Sequence, residues 1–213
     1  HALHPIYIDL LAITGVPHDA ILDIRQKMAA FESKPSKVSS TTLGHEEYDY
    51  VAVYQYKAKM LRIIFKAVSS SLNDDMVFKK FVNENQSWLQ KYALFCYLRD
   101  KYGTKNFNKW PQFNQSISER EIKGISNDNQ TDLLFYYWIQ HICQLQLLHA
   151  KEYAETHGVV LEGEVPLLTP YQSVPVWTKP SLFNLNMRTG SLPTERDMTC
   201  SLEDSPSLKW KAF

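Results

Sequence analysis

Apolar side chains recur every three or four residues along two long stretches of the sequence, and this spacing constrains the fold more than any other feature. The first stretch, residues 46–71, includes Leu61 and Ile64, and the second, residues 132–157, is the more apolar and includes Trp138. Because this spacing places apolar side chains on one face of an α-helix, both stretches are predicted to be amphipathic helices. We expect a mostly helical protein in which these two helices are the longest.

Other segments contain the signals that begin and end helices. Pro17 suits the first turn of a helix, and Ser118 and Glu121 have the spacing of a capping box, in which each side chain bonds the backbone of the other residue. Gly103 suits the left-handed position that follows a helix. These signals predict three further helices, over residues 17–33, 78–103 and 116–125.

Two short stretches are predicted to be strands. Ile6, Ile8 and Leu10 alternate with other residues near the start of the sequence, and the apolar run "VVLEGEVP", residues 159–166, follows the last helix. After it comes a tail rich in Pro, Ser and Thr, which is predicted to be irregular. The predicted order is therefore a strand segment, a helical block, and a second strand with its loop and tail, over residues 1–13, 14–157 and 158–213.

The overall composition excludes several classes of partner. Lys and Arg together number 23, as do Asp and Glu, so no net charge attracts a nucleic acid or an anionic membrane surface. No apolar run approaches the roughly 18 residues that a membrane span needs. Three widely spaced cysteines, Cys96, Cys143 and Cys200, lack the paired spacing of a zinc site. We expect a reduced, cytoplasmic protein that binds neither nucleic acid nor membranes.

Two carboxylates, Glu162 and Glu164, lie in the second predicted strand. Because they are two residues apart, they face the same side of an extended strand. They are either a catalytic pair or the solvated edge of a strand. Glu164 alone is the better candidate, since it precedes Pro166 where the strand opens onto a loop. In a β/α barrel, that end of a strand is where binding residues collect.

The common metal, nucleophile and phosphate motifs are absent from the sequence. His1 and His4, or His141 and His149, lack both the i, i+4 spacing and the further ligands of a metal site. Neither a Gly-x-Ser-x-Gly elbow nor a glycine-rich phosphate loop occurs. We expect neither a metal nor a cofactor.

One tryptophan in the region after the second strand is a candidate for contact with a sugar. Trp177 lies between prolines in "SVPVWTKPSLF", residues 173–183, which is predicted to be a loop. Its indole is either a platform on which a sugar ring stacks or a hydrophobic plug that holds the loop. The residues alone leave both interpretations open.

Three long stretches and the opening octapeptide match one enzyme family in the same order. They are "HALHPIYI", "FVNENQSWLQKYALFCYLRDKYGTKNFNKWP", "YYWIQHICQLQLLHAKEYAETHGVVLEGEVP" and "SVPVWTKPSLFNLNMRTGSLP". Together they resemble the 4-α-glucanotransferases, the amylomaltase or disproportionating-enzyme family (glycoside hydrolase family 77), especially the longer type with a plant-like architecture. The resemblance covers residues 1 to about 193.

The resemblance implies a fold and a chemistry. The implied fold class is α/β, as part of a (β/α)₈ TIM-type barrel with a large α-helical insertion, so that residues 1–13 and 158–166 would be barrel strands. The implied activity transfers α-1,4-glucan segments between maltooligosaccharides, glycogen or starch by a retaining double displacement, without a cofactor. In the family the catalytic carboxylates lie beyond the point that matches Phe213. We therefore assign no catalytic residue and expect this chain alone, a partial copy, to be inactive.

The chain also departs from the family pattern. Gly163-Glu164-Val165-Pro166 stands where the family has Gly-Asp-Leu-Pro, and Thr194 stands where it has Asp. The family's Gln/Trp/Gly glucan-contacting element is missing, and the tail diverges from residue 194. By position after the matched strand, the expected substrate-binding residues are Glu164, Ser173 and Trp177. The alternative function is a non-catalytic carbohydrate-binding or protein-interaction derivative of this family.

Overall fold

A computed structural model describes residues 2–32, 49–163, 168–191 and 201–209 of the chain. Six α-helices and one antiparallel pair of strands form the regular structure of these residues, together with short 3-10 turns. The expectation of a mostly helical protein is confirmed. In chain order the elements are α1 (His18–Glu32), α2 (Tyr50–Val68), α3 (Met76–Tyr102), α4 (Glu119–Asp128), α5 (Gln130–Thr156), α6 (Val174–Thr178), β1 (Phe183–Ser191) and β2 (Ser201–Leu208).

The lengths of the helices differ from the prediction in one respect. α3 and α5 each have 27 residues whereas α2 has 19, so the prediction that residues 46–71 form one of the two longest helices is wrong. α2 is shorter because side chains bond its backbone near both ends. Asp49 accepts a hydrogen bond from the amide of Ala52 at 2.8 Å, and the Ser71 hydroxyl donates to the carbonyl of Val68 at 2.8 Å.

The predicted signals at the helix ends are present. Ser118 and Glu121 form the reciprocal capping box at the start of α4. Gly103 and Gly158, which follow α3 and α5, have φ angles of 68° and 73°. Glycine adopts this left-handed conformation without steric cost, so it can end a helix there.

The predicted strand at residues 1–13 does not form in the structure. Pro5–Tyr7 is a 3-10 turn, and the residues on either side of it pair with no strand. The physical reason is the lack of a neighbour, because a strand needs a second backbone to accept and donate its hydrogen bonds. Within the described residues, side chains take that part instead.

Two glutamines of α5 bind the backbone of the opening segment. The Gln140 side chain accepts a hydrogen bond from the amide of Leu3 at 2.8 Å and donates one to its carbonyl at 2.9 Å. Gln146 makes the same two bonds with the backbone of Asp9, at 2.8 and 2.9 Å. We call Gln140 and Gln146 the glutamine clamp. Each amide side chain does for one residue what a neighbouring strand would do.

A lysine of α2 binds the same segment from another helix. The Lys57 ammonium donates to the carbonyls of Ile6 and Ile8 at 2.6 and 2.7 Å. Burial lowers the pKa of Lys57, and the nearby Asp9 carboxylate opposes that shift. The backbone of the opening segment is thus bonded to two helices by side chains.

The second predicted strand is described only in part. Residues 159–163 form no strand, and Val160 is 86% exposed. Residues 164–167 lie outside the described residues, so a strand over that part stays a prediction. Strands of a parallel sheet are covered on both faces, and the sheet found in the described ranges contains only β1 and β2.

The tail, predicted to be irregular, contains both strands of the structure. β1 and β2 pair antiparallel, from Phe183 opposite Leu208 to Ser191 opposite Ser201, with an irregular register around Arg188. Apolar residues alternate with Asn and Arg along β1, which is the period of a strand. The content of Pro, Ser and Thr is therefore a poorer guide here than the alternation.

The chain divides into two compact units, and each has its own apolar core. Unit 1 comprises His1–Gln86 and Leu134–Val160, and unit 2 comprises Ser87–Leu133 and Leu161–Phe213. No helix in the described part of the chain combines the length and the hydropathy needed to cross a bilayer. Fully buried side chains of unit 1 include Ile8, Ile24, Leu61, Ile64 and Trp138, and those of unit 2 include Leu89, Leu94, Trp110, Ile122 and Trp177.

Candidate functional site

Trp177, one of the predicted site residues, lies in the core of unit 2. It is 0% exposed, and its ring lies 5.6 and 5.5 Å from the ring centroids of Phe95 and Trp110. The indole nitrogen donates a hydrogen bond to the carbonyl of Phe113 at 2.9 Å. Because neither ring face reaches the surface, the structure does not offer Trp177 as a platform for a sugar. Its position is that of a hydrophobic plug.

The segment that receives Trp177 is held by a second buried indole. The Trp110 indole nitrogen donates to the carbonyl of Thr104 at 2.9 Å, which closes the turn after α3. Phe113 has a φ of 60°, a conformation that large side chains rarely adopt. Its carbonyl accepts the bond from Trp177, so the two indoles hold residues 104–113 in place.

Ser173 precedes α6, and its hydroxyl is buried without a hydrogen-bond partner among the described residues. It occupies the N-cap position of α6, although its side chain makes no capping bond. The side-chain oxygen of the neighbouring Gln172 is also buried and unpaired within the described ranges. Each such atom costs about 1–3 kcal/mol. A ligand or water that bonded either atom would recover part of this energy.

A cleft of about 670 Å³ lies in unit 2 and is lined by Gln172. Its volume is in the range of small-molecule sites. Amide and guanidinium groups line it among aromatic and aliphatic side chains, and we call it the amide cleft. Its lining includes Phe107, Asn108, Gln115, Tyr171, Gln172, Leu185, Asn186 and Arg188.

Hydrogen bonds fix the wall of the amide cleft that β1 contributes. The Tyr171 hydroxyl donates to the carbonyl of Met187 at 2.8 Å, which joins the loop before α6 to β1. The Thr189 hydroxyl donates to the carbonyl of Ser205 at 2.8 Å, which joins β1 to β2. The antiparallel pair therefore positions Asn186 and Arg188 along the cleft.

The segments that build the amide cleft contain positive side chains and no negative ones. They are residues 104–118 and 168–191, and neither contains Asp or Glu although the whole chain is neutral. The paired strand β2 contains Glu203 and Asp204, so the excess of cations belongs to the two lining segments and not to the whole sheet. Within those segments it favours anionic ligands. The cationic residues of these segments are Lys105, Lys109, Lys179 and Arg188.

The lining of the amide cleft includes neither His141 nor the buried thiols of Cys96 and Cys143. His141 packs against the rings of Phe78 and Phe81, and burial lowers its pKa while Asp75 opposes that shift. Burial also raises the pKa of the Cys96 and Cys143 thiols to about 11. A thiol with so high a pKa is a poor nucleophile. The described residues contain no group of three His, Cys, Asp or Glu side chains that could hold a metal ion.

Neither Ser173 nor Trp177, the two predicted site residues that the structure describes, lines the amide cleft. Glu164 lies outside the described residues, so its predicted role stays a prediction. Ser173 is next to a residue of the amide cleft, whereas Trp177 supports the core behind it. Gln172 and Arg188 were not predicted. The lack of any acidic residue in the two segments is a sequence signal that could have found them.

Comparisons with known proteins identify the family. The model of glycoside hydrolase family 77, described as 4-alpha-glucanotransferase, matches residues 1–213. A 4-alpha-glucanotransferase of Oryza sativa subsp. japonica is 31% identical over 213 residues, which are 99% of this chain and 21% of the relative. A 4-alpha-glucanotransferase of Clostridium butyricum is 26% identical over 214 residues, which are 96% of this chain and 43% of the relative. The chain thus spans less than half the length of either relative.

A solved structure has a similar fold. An amylomaltase from Streptococcus agalactiae, in complex with acarbose, matches with a TM-score of 0.71 and 19% sequence identity. The match covers 99% of this chain and 41% of that one. At this identity the likeness concerns the fold alone. The family model, which matches from the first residue to the last, shows that the chain belongs to the 4-alpha-glucanotransferase family.

Proposed function

We propose that this chain is part of an enzyme that transfers α-1,4-glucan segments between maltooligosaccharides, glycogen or starch by a retaining double displacement. The observation that carries the proposal is the match of the family model over residues 1–213. The resemblance of four stretches in the same order supports it further. A retaining transfer requires two carboxyl groups about 5 to 5.5 Å apart. In our proposal these come from a part of the enzyme that matches beyond Phe213, so residues 1–213 alone do not catalyse transfer.

We also propose that residues 1–13 and 158–166 are strands of a (β/α)₈ barrel in the whole enzyme, with residues 14–157 as its helical insertion. The exposure of Val160 and its two apolar neighbours supports this, because a barrel strand is apolar and needs covering on both faces. In this proposal the missing neighbours are barrel strands.

In the same enzyme, Glu164 and Ser173 would contact the glucan. Glu164 stands where the family has the Asp of Gly-Asp-Leu-Pro, and a carboxylate there can accept hydrogen bonds from sugar hydroxyls. The Ser173 hydroxyl is buried without a partner among the described residues and can bond a ligand that reaches it. Trp177 would act indirectly, by holding α6 in the core.

The test of inactivity uses the purified chain and maltotriose. We expect chromatography to detect neither glucose nor oligomers longer than maltotriose. Maltoheptaose should bind only weakly, with a dissociation constant of about 1 mM or more, which corresponds to a binding free energy of about −4 kcal/mol or weaker. Glu162→Ala is the matched control for Glu164→Ala. Transfer products that disappear in Glu164→Ala but persist in Glu162→Ala would show that this chain is catalytic by itself.

A chimaera distinguishes the enzyme from its alternative, a non-catalytic carbohydrate-binding or interaction protein. The matching segment of the Clostridium butyricum relative would be replaced by this chain, and transfer between maltooligosaccharides would be measured. An active chimaera supports an enzyme segment. A folded but inactive one, with maltoheptaose still bound, supports the alternative, which the divergence of the tail from residue 194 favours.

We propose a cytoplasmic location. Cys96 and Cys143 are buried and free in the structure, as expected of a chain that folds in a reducing compartment. Fractionation of the source cells, with immunodetection of the chain, tests this location. Recovery of the chain outside the cytoplasmic fraction would contradict it.

A further inference from the structure

We propose that the amide cleft binds a phosphorylated glucosyl unit, with Arg188 bonding the phosphate and Gln172 bonding a sugar hydroxyl. Such a site goes beyond glucan transfer and does not depend on it. The ligand is either a free sugar phosphate or a phosphate ester on an α-glucan, and the two share the chemistry that the cleft recognises.

The sugar is inferred from the neutral hydrogen-bonding groups of the cleft. Gln172 lines the cleft, and its side-chain oxygen is buried without a partner in the described part of the chain, so it accepts a donor from a ligand when the side chain turns toward the cleft. A sugar hydroxyl can donate to it, whereas a fully ionised phosphate cannot. Asn108 and Asn186 supply amides that both donate and accept, as a polyol requires. These groups therefore select for hydroxyls as well as charge.

The phosphate is inferred from the charges. Arg188 is exposed along the cleft, and no described side chain forms an ion pair with it. Lys109 and Lys179 are exposed and directly adjoin residues that line the cleft. None of the lining residues is acidic. A neutral glucan gains little from this charge, but a phosphate gains a charge-assisted and often bidentate bond from a guanidinium.

The apolar groups of the cleft suit the ring of the sugar. Tyr171 and Leu185 lie in the lining with the amides. The Tyr171 hydroxyl is already bonded to the carbonyl of Met187, so the ring is held at a fixed place. An aromatic ring held in this way can pack against the apolar face of a pyranose.

The experiment measures binding to the full chain by calorimetry and amide chemical shifts. Its probes are glucose 6-phosphate, inorganic phosphate, maltoheptaose, and maltoheptaose with a 6-phosphate ester. We expect glucose 6-phosphate to bind about 10-fold or more tightly than inorganic phosphate. Arg188→Met should weaken glucose 6-phosphate about 10- to 100-fold, as the loss of a charge-assisted bond does. Arg120→Met, which removes an exposed cation from α4 in the same unit, is the matched control and should change nothing.

A second variant separates recognition from folding. Gln172→Met removes an oxygen that has no partner among the described residues, so we expect unchanged or higher thermal stability. The same variant should weaken glucose 6-phosphate about 3- to 10-fold and leave inorganic phosphate unaffected. A merely structural Gln172 would instead show a loss of stability and no selective effect on the sugar.

Several results would overturn the proposal. Equal affinity for inorganic phosphate and glucose 6-phosphate would show a simple anion site. Equal affinity for maltoheptaose and its phosphate ester would show that the cleft does not recognise the phosphate. An Arg188→Met variant that binds glucose 6-phosphate normally would show that Arg188 does not form the site. If the ester binds more tightly than glucose 6-phosphate, the source is a glucan, and the reverse order identifies a free sugar phosphate. An inactive chimaera would leave all of these results unchanged, so failure of the transferase proposal is distinguishable.

Discussion

Replacing Gln140 by Leu should destabilise unit 1, because the Gln140 side chain bonds the backbone of a distant segment. Gln140 is 2% exposed and makes two hydrogen bonds, at 2.8 and 2.9 Å, with the backbone of the half-buried Leu3. Each bond contributes about 0.5–1.5 kcal/mol net, and a buried group left unpaired costs about 1–3 kcal/mol. Water can reach part of the half-buried backbone, so we expect a loss of about 2–4 kcal/mol in the free energy of unfolding.

The neighbouring glutamines of α5 provide a graded comparison. Gln146→Leu should cost about 1 kcal/mol, because its partner Asp9 is exposed and water replaces the lost bonds. Gln144 is exposed on the same helix, so Gln144→Leu should change stability by less than about 0.5 kcal/mol. The order of effects is then set by the burial of the backbone that each side chain binds.

The assay combines urea unfolding, followed by tryptophan fluorescence, with hydrogen exchange of single amides. Exchange matters because the chain has two units, and unfolding of one need not report on the other. We expect the Leu3 amide to lose protection in Gln140→Leu and to keep it in Gln144→Leu. If the two variants were equally stable and Leu3 equally protected, the glutamine clamp would not hold the opening segment.

Three further predictions concern buried side chains. Trp177→Phe should cost about 1–3 kcal/mol, through the lost bond to a backbone carbonyl, and leave maltoheptaose binding unchanged. Burial lowers the pKa of His141 below its ordinary value of 6.5, so the unfolded chain takes up a proton at this side chain more readily than the folded chain. The free energy of unfolding should therefore fall as the pH drops from 6.5 toward the pKa of the folded state. His141→Phe should remove this loss. Burial raises the pKa of the Cys96 and Cys143 thiols to about 11, so roughly 0.1% of each is thiolate at pH 8. In a Cys200→Ser variant, neither thiol should react with a thiol reagent before the chain unfolds.

Each of these predictions has a control or a contrary outcome. A maltoheptaose titration that depends on Trp177 in a folded variant would restore its role in stacking. His149 is exposed on the same helix as His141, so His149→Gln should retain the loss of stability in acid. If the loss persists in His141→Phe, another group causes it. Release of a thiol product within minutes in native Cys200→Ser would contradict the burial of Cys96 and Cys143.

The sequence by itself determined the local structure and the family. The capping box of Ser118 and Glu121 and the glycines after α3 and α5 predicted helix ends, because a helix end depends on residues within about four positions. Order and spacing over four stretches identified the family, which the family model confirms. The alternation of apolar and polar residues along β1 also indicates a strand, although the Pro, Ser and Thr content of the tail led to the prediction of an irregular structure.

Only the tertiary structure decided which distant groups meet. Leu3 and Gln140 are 137 residues apart, and Trp177 and Phe113 are 64 apart, so no local pattern connects them. A run of alternating apolar residues becomes a strand only when another backbone lies beside it, and the opening segment meets glutamine side chains instead. The burial of Trp177 also depends on distant residues, because its ring packs against Trp110 and its indole nitrogen bonds the carbonyl of Phe113. The prolines beside Trp177 in the sequence do not predict these contacts.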